Sequence, residues 1–127
     1  MNVPGELRYS TDHEWTRVES ADRIRVGITD YAQDALGDVV YVDLPAVGDL
    51  VEVGRSFGEV ESTKSVSELY APISGTVIEI NGDLVDEPQR LNDDPYGEGW
   101  ICVIAPADAA QVDALLDAGD YGELIGG

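Results

Sequence analysis

Five residue types occur once each in this chain of 127 residues: methionine at Met1, lysine at Lys64, histidine at His13, cysteine at Cys102 and phenylalanine at Phe57. One cysteine cannot close an internal disulfide, and Cys102 lies in the apolar run Trp100 to Ile104, so it reads as a small core residue. One histidine leaves no basis for a histidine-rich metal centre or a Cys-His nucleophile pair, and His13 reads as structural. No apolar run approaches the ~18 to 20 residues of a membrane span. The start, Met1 to Glu6, has neither the basic and apolar regions of a secretory signal nor the Arg-rich look of a transit peptide, so a cytoplasmic address is the expectation. Basic charge is scarce: 7 Lys and Arg stand against 26 Asp and Glu, for a formal charge of −19. Such a surface repels nucleic acid and anionic membranes and favours partners with basic faces. Asp outnumbers Glu and the basic residues other than Lys64 are all Arg. A high-salt cytoplasm and a lysine-poor proteome explain that bias equally well.

What remains is an apolar fraction of 43%, enough for one packed domain that hides roughly two thirds of its unfolded surface. Nothing linker-like, repetitive or low in complexity divides the chain, which reads as a single domain over 1–127. His13 to Glu19 and Arg23 to Ile28 form a hairpin across Ser20-Ala21-Asp22, with Ile24, Val26 and Ile28 on one face and the arginines turned to water. Thr29-Asp30 supplies an N-cap, Asp30 and Gln33 have capping-box spacing, and Gly37 terminates a helix of about two turns near 30–36.

Val39 to Leu44 is β-rich and stops at Pro45; Leu50, Val51 and Val53 resume extended structure after the Gly48-Asp49 turn. Two alternating runs then flank Lys64, giving a hairpin over about 57–71. Thr76 to Ile80 alternates again before an Asn81-Gly82-Asp83 turn. Asp86 to Gly99 is turn-prone, with one helical turn near Gln89 to Leu91, and Trp100 to Ile104 closes the β part. Asp108 and Gln111 repeat the capping-box spacing. Ala109, Val112, Leu115 and Leu116 then form a helical stripe that ends before Gly119, with a last turn from Tyr121 to Ile125, so the C-terminal helical segment covers about 108–125. Many short strands with regular turns predict a mainly β domain of two antiparallel sheets with accessory helices.

Lys64 carries the chemistry. An exposed lysine with a pKa near 10.4 is neutral in only about a few parts in ten thousand at pH 7, so acylating it requires an enzyme. A hairpin tip suits such an enzyme, because the side chain projects from two pinned strands. Ser62, Thr63 and Ser65 leave the tip sterically open, and Glu61 and Glu68 place carboxylates on either side. An ordinary solvated turn lysine accounts for the same residues. Asp93-Asp94 lacks EF-hand spacing and reads as turn-capping acids, with no metal expected; Trp15 and Trp100 read as core or rim packing.

The stretch Glu61-Ser62-Thr63-Lys64-Ser65, followed by Tyr70-Ala71-Pro72-Ile73-Ser74-Gly75, resembles the lipoyl-attachment hairpin of glycine cleavage system H proteins. His13-Glu14-Trp15, Gly27 to Gln33, Leu36 to Val40 and Asn92 to Trp100 resemble that family's other blocks in the same order, so the likeness runs from about Leu7 to Tyr121. Gly48, sixteen residues before the lysine, and Gly75, eleven after it, match lipoyl domains more broadly, where such glycines permit tight turns. The resemblance implies a lipoyl/biotinyl-type barrel-sandwich hybrid with lipoate in amide linkage to Lys64. It also implies a protein that is a carrier and not an enzyme. Its arm would collect an aminomethyl group from a pyridoxal-phosphate-dependent glycine decarboxylase and deliver it to an aminomethyltransferase, with dihydrolipoyl dehydrogenase reoxidising the arm. Glycine catabolism and one-carbon supply follow from that cycle. A lipoate-attaching enzyme is the fourth partner, and a monomer is the expected state. Glu61, Ser62, Thr63, Ser65 and Gly75 fall to recognition of the attachment hairpin. Asp12, Glu14 and Glu68 fall to a cleft for the loaded arm, Glu14 facing its ammonium; relatives can carry Ser at position 12.

Three other carriers share this logic. A biotin domain flanks its lysine with methionines, where this chain has Thr63 and Ser65. An acyltransferase's lipoyl domain leaves the outlying blocks unexplained. A relay that passes octanoyl or lipoyl groups to other proteins meets the same requirements, and a β scaffold with no modified residue is the remaining reading.

Overall fold

The computed structural model describes residues 1–126. In chain order its elements are β1 (Arg8–Tyr9), β2 (Glu14–Ser20), β3 (Arg23–Ile28), α1 (Asp30–Leu36), β4 (Val39–Asp43), β5 (Leu50–Val51), β6 (Ser56–Ser62), β7 (Val66–Tyr70), β8 (Gly75–Ile80), α2 (Asp83–Asp86), α3 (Arg90–Asp93), β9 (Cys102–Pro106), α4 (Ala110–Asp113) and α5 (Ala118–Leu124). They make two antiparallel sheets, one ordered β1-β2-β3-β9-β8-β5 and the other β4-β6-β7. Neither closes into a barrel, and the mainly β, two-sheet fold read from the sequence is the one found.

Alternation explains the layers. In β3, Ile24, Val26 and Ile28 point inward and are buried, and they meet Val42 of β4, Val60 of β6 and Leu69 of β7 in one apolar core. Cys102 lies in the same core, and burial pushes its thiol up to about 12, which leaves it an inert packing group. A smaller cluster of Leu7, Tyr9, Trp15 and Tyr121 seals the seam between β1, β2 and α5, with the Tyr9 and Tyr121 rings stacked at 4.6 Å.

Helix α1 forms where the capping signals place it. Thr29 is its N-cap, the hydroxyl accepting from Ala32 N at 3.1 Å, and Gly37 ends it with φ +78°. Gln33 does not complete a capping box; its amide donates to the Asp30 carboxylate at 2.8 Å. No residue of α1 is fully buried; Ala32 and Leu36, partly buried, pack against the apolar core, and hydrogen bonds at its two ends hold it as well.

Four expectations need correction. The C-terminal stripe is not one helix: α4 is a single turn, after which Leu116 pairs with Tyr9 through two backbone hydrogen bonds of 2.8 Å. Pairing with the edge strand β1 outweighs helix continuation, and Asp117 then caps α5, which begins at Ala118, ahead of the last turn read at Tyr121 to Ile125. Gln111 reaches across to accept from Ser74 N at 2.7 Å instead of closing a capping box. The last strand is displaced toward the C-terminus, running Cys102–Pro106. Finally, Arg25 is not free in water: its guanidinium lies 4.2 Å from the centre of the Trp100 ring and pairs with Glu19 at 2.6 Å.

Gly48 and Gly75 serve different ends. Gly48 turns the chain at φ +97°. Gly75 pairs with Val51 and Pro106 in the six-stranded sheet, where a Cβ would stand 2.2 Å from the Ala105 carbonyl oxygen. Close packing of backbones is its reason.

Candidate functional site: a braced lysine beside a carboxyl-floored cleft

Strands β6 and β7 pair in the register Glu61↔Val66 and Val60↔Ser67, which puts Thr63-Lys64-Ser65 at the tip, all three exposed. The turn is closed from within. Ser62 N donates to Ser65 O at 2.8 Å, and the Ser62 hydroxyl oxygen accepts from both Lys64 N and Ser65 N at 3.2 Å. It is braced from outside as well, because Thr63 N donates to Asp38 O at 3.0 Å. The tip therefore rests on the segment joining α1 to β4. Lys64 lies across Gly37: a Cβ there would be 3.1 Å from Lys64 Cε.

That segment is fixed in turn by Asn92. Its amide nitrogen donates to Gly37 O at 2.8 Å and to Gln33 Oε1 at 3.1 Å, and its oxygen accepts from Val39 N at 2.9 Å. One side chain from the turn-prone stretch thus anchors the end of α1, the start of β4 and, through Asp38, the lysine turn.

Beside the tip is a cavity of about 240 Å³. Tyr31, Ala32, Ala35 and Leu36 of α1 form one wall, Val60 of β6 and Val66 to Leu69 of β7 another, and Asp12 to Glu14 the end. Glu14 is its floor, 1% exposed. The Ser10 hydroxyl donates to Glu14 Oε1 at 2.6 Å and Tyr70 N donates to Oε2 at 3.3 Å. Burial nevertheless pushes this carboxyl up to about 8, against the opposing pull of those two hydrogen bonds. Near neutral pH the floor is mostly a neutral acid, ready to become an anion if a cation docks. Asp12 and Glu68 stand at the rim, both exposed, with Glu68 accepting from the Tyr70 hydroxyl at 3.2 Å.

The structure brings Asp12, Glu14 and Glu68 to one cleft, with Ser65 on its edge. Ser62 and Thr63 shape the turn, and Glu61 sits in β6 opposite Tyr41 and Val66. Gly75 is not with them; it belongs to the other sheet. Sequence reading missed Ser10, the tie through Asn92 and the contact of Gly37 with Lys64. Gly37 was visible as a helix terminator, but its contact with the lysine depends on tertiary placement. His13 lines the cleft and is tied structurally, its Nδ1 2.8 Å from the Tyr121 hydroxyl. Among the described residues no group of His, Cys, Asp and Glu is placed to hold a metal ion, and no helix is long and apolar enough to cross a membrane.

An exposed amine on a braced turn, next to a narrow cleft with apolar walls and a carboxyl floor, fits a slim aliphatic arm with a polar end. Two stacked antiparallel sheets with that hairpin define a carrier domain of the lipoyl class. The glycine cleavage H-protein family matches residues 7–126, and the chain belongs to that family, whose members are the lipoyl carriers of the glycine cleavage system. It is 58% identical to the glycine cleavage system H protein of Anaeromyxobacter sp. (strain K) over 125 residues, 98% of this chain and 97% of that one. Against the H protein of Halalkalibacterium halodurans the identity is 54% over 124 residues, 98% and 96% of the two chains. A crystal structure of a glycine cleavage system H protein from Mycobacterium marinum superposes with a TM-score of 0.91 at 45% identity, covering 98% of this chain and 99% of that one.

Proposed function

We propose that this chain is a cytoplasmic, monomeric carrier whose Lys64 bears lipoate in amide linkage, and that it catalyses no reaction itself. Its partners are the pyridoxal-phosphate-dependent glycine decarboxylase, the aminomethyltransferase, dihydrolipoyl dehydrogenase and the enzyme that attaches lipoate. When bound, lipoate supplies a redox-active dithiol that takes up and releases the one-carbon cargo. The polypeptide supplies the rest.

The observation that carries this reading is the lysine turn, closed by Ser62 and pinned to Asp38 through Thr63. It offers one primary amine at a fixed place to an enzyme that must find it, at no ordering cost on encounter. The acidic surface, net −19, steers basic partner faces toward the chain. The cleft then serves the arm between encounters. Ala32, Leu36 and Leu69 offer apolar wall, and Glu14 offers a carboxyl that becomes the counter-ion of a protonated amine. Pairing with that amine draws the proton from Glu14, so burial and ion pairing act together in a site shielded from water.

Peptide mass spectrometry of the protein from its native host tests the assignment. A lipoyl adduct on Lys64 is expected, together with loss of one positive charge on a native gel. An octanoyl-only or biotinyl adduct, or an unmodified lysine in a lipoate-replete host, contradicts it.

A further inference from the structure

Tyr121 lies on α5, outside the cleft, with none of its surface exposed. Its hydroxyl is shared between two groups that shape the cleft: His13 Nδ1 at 2.8 Å and Thr29 Oγ1 at 2.7 Å. His13 is the one non-glycine residue with positive φ among the described residues, at +71°, a strained conformation that persists only when its surroundings enforce it. That backbone twist sits between the rim residue Asp12 and the floor residue Glu14. Thr29 is the N-cap of α1, the wall that packs on the core only through the partly buried Ala32 and Leu36, and Thr29 N also donates to His13 O at 3.1 Å. One phenol therefore ties the twist that aims Glu14 to the cap that holds the wall.

We propose that Tyr121 is a positioning residue for the arm cleft: through His13 and Thr29 its hydroxyl keeps floor and wall in the geometry that shields the carrier's cargo. The inference rests on the carrier reading above. The C-terminal helix, which touches neither Lys64 nor the cleft, thereby sets how long a loaded arm stays protected, and leaves attachment of the arm untouched.

The phenol's surroundings supply a matched control. Tyr9 stacks on Tyr121 in the same cluster, and its hydroxyl donates to Pro4 O at 2.6 Å, away from His13 and Thr29. Tyr9→Phe and Tyr121→Phe each remove one hydroxyl from one stacked pair and keep the ring, so a general loss of stability affects both alike. The test uses the full-length chain, lipoylated and loaded, with release of the one-carbon unit followed in buffer without partner enzymes. Tyr121→Phe should release about two- to tenfold faster than wild type, the range of one hydrogen bond. Tyr9→Phe should match wild type, and all three should accept lipoate at the same rate. In the unlipoylated chain, the His13 imidazole nitrogen shifts should change in Tyr121→Phe and stay put in Tyr9→Phe.

Equal release from Tyr121→Phe and wild type overturns the proposal, as does equal acceleration by the two substitutions. If the wild-type chain protects its cargo no better than free lipoamide does, the cleft reading fails and takes this inference with it. That outcome is distinct from intact protection with an indifferent Tyr121.

Discussion

The Asn92 side-chain amide holds the Gly37 carbonyl at 2.8 Å, although the two residues are 55 positions apart. Asn92 also accepts from Val39 N, so it spans the break between α1 and β4 on which the lysine turn rests. Replacing it with alanine leaves the Val39 amide and the Gly37 carbonyl without their partner in a partly buried place. Asn92→Ala should lower stability by about 1–3 kcal/mol and slow lipoylation of Lys64. Thermal unfolding and lipoylation kinetics check this; unchanged kinetics in a destabilised variant disconnects Asn92 from presentation of the lysine.

Gly37 has φ +78° and ψ −157°, a region essentially reserved for glycine. Gly37→Ala should cost about 1–3 kcal/mol in backbone strain. Its Cβ, 3.1 Å from Lys64 Cε, also pushes the lysine from where it lies. Because the far end of that side chain can move, the stability loss comes from the backbone alone, and Lys64→Ala in the same background should not restore it.

The buried Glu14 carboxyl makes a prediction about pH. Its folded value, about 8, is above its ordinary range, so the folded state binds more protons than the unfolded state between roughly pH 4.5 and 8. Stability contributed by this group therefore falls as pH rises through that window. Glutamine keeps both contacts if its oxygen accepts from Tyr70 N and its nitrogen donates to Ser10 Oγ. Glu14→Gln should flatten the decline and be the more stable protein above pH 8, by a few kcal/mol at most. Denaturant unfolding of both proteins from pH 5 to 9 measures it; parallel curves contradict a raised Glu14. Loaded Glu14→Gln should also lose its cargo faster than wild type, and equal rates remove Glu14 as the holder of the ammonium.

Gly75 separates packing from recognition. Gly75→Ala drives a Cβ into the Ala105 carbonyl, which is backbone and cannot swing away, so a loss of about 3 kcal/mol is expected. The fraction that remains folded should be lipoylated at the wild-type rate, since Gly75 lies in the sheet opposite the hairpin. Slower lipoylation of fully folded protein returns Gly75 to hairpin recognition.

The hairpin around Lys64 is legible because alternating residues on both sides of a small polar tip leave one register, and α1 because Thr29 and Gly37 mark its ends. The placing of Asp12, Glu14 and Glu68 in one cleft came from resemblance, and their meeting is visible only once β2 and β7 are folded together. The C-terminal stripe misled because helical spacing in Leu115 and Leu116 also suits a chain whose Leu116 bridges to Tyr9. Arg25 misled because alternation tells which face a residue is on, while Trp100, which covers that face, comes 75 positions later. Tyr121 and Asn92 act through long-range hydrogen bonds, which leave no local pattern in sequence.

The most direct test of the carrier account is glycine–carbon dioxide exchange reconstituted with the glycine decarboxylase, comparing wild type and Lys64→Arg after both have been exposed to the lipoate-attaching enzyme. Exchange that depends on the wild-type chain and disappears in a folded Lys64→Arg variant with no lipoyl adduct is the predicted result. Exchange supported equally by Lys64→Arg contradicts the account.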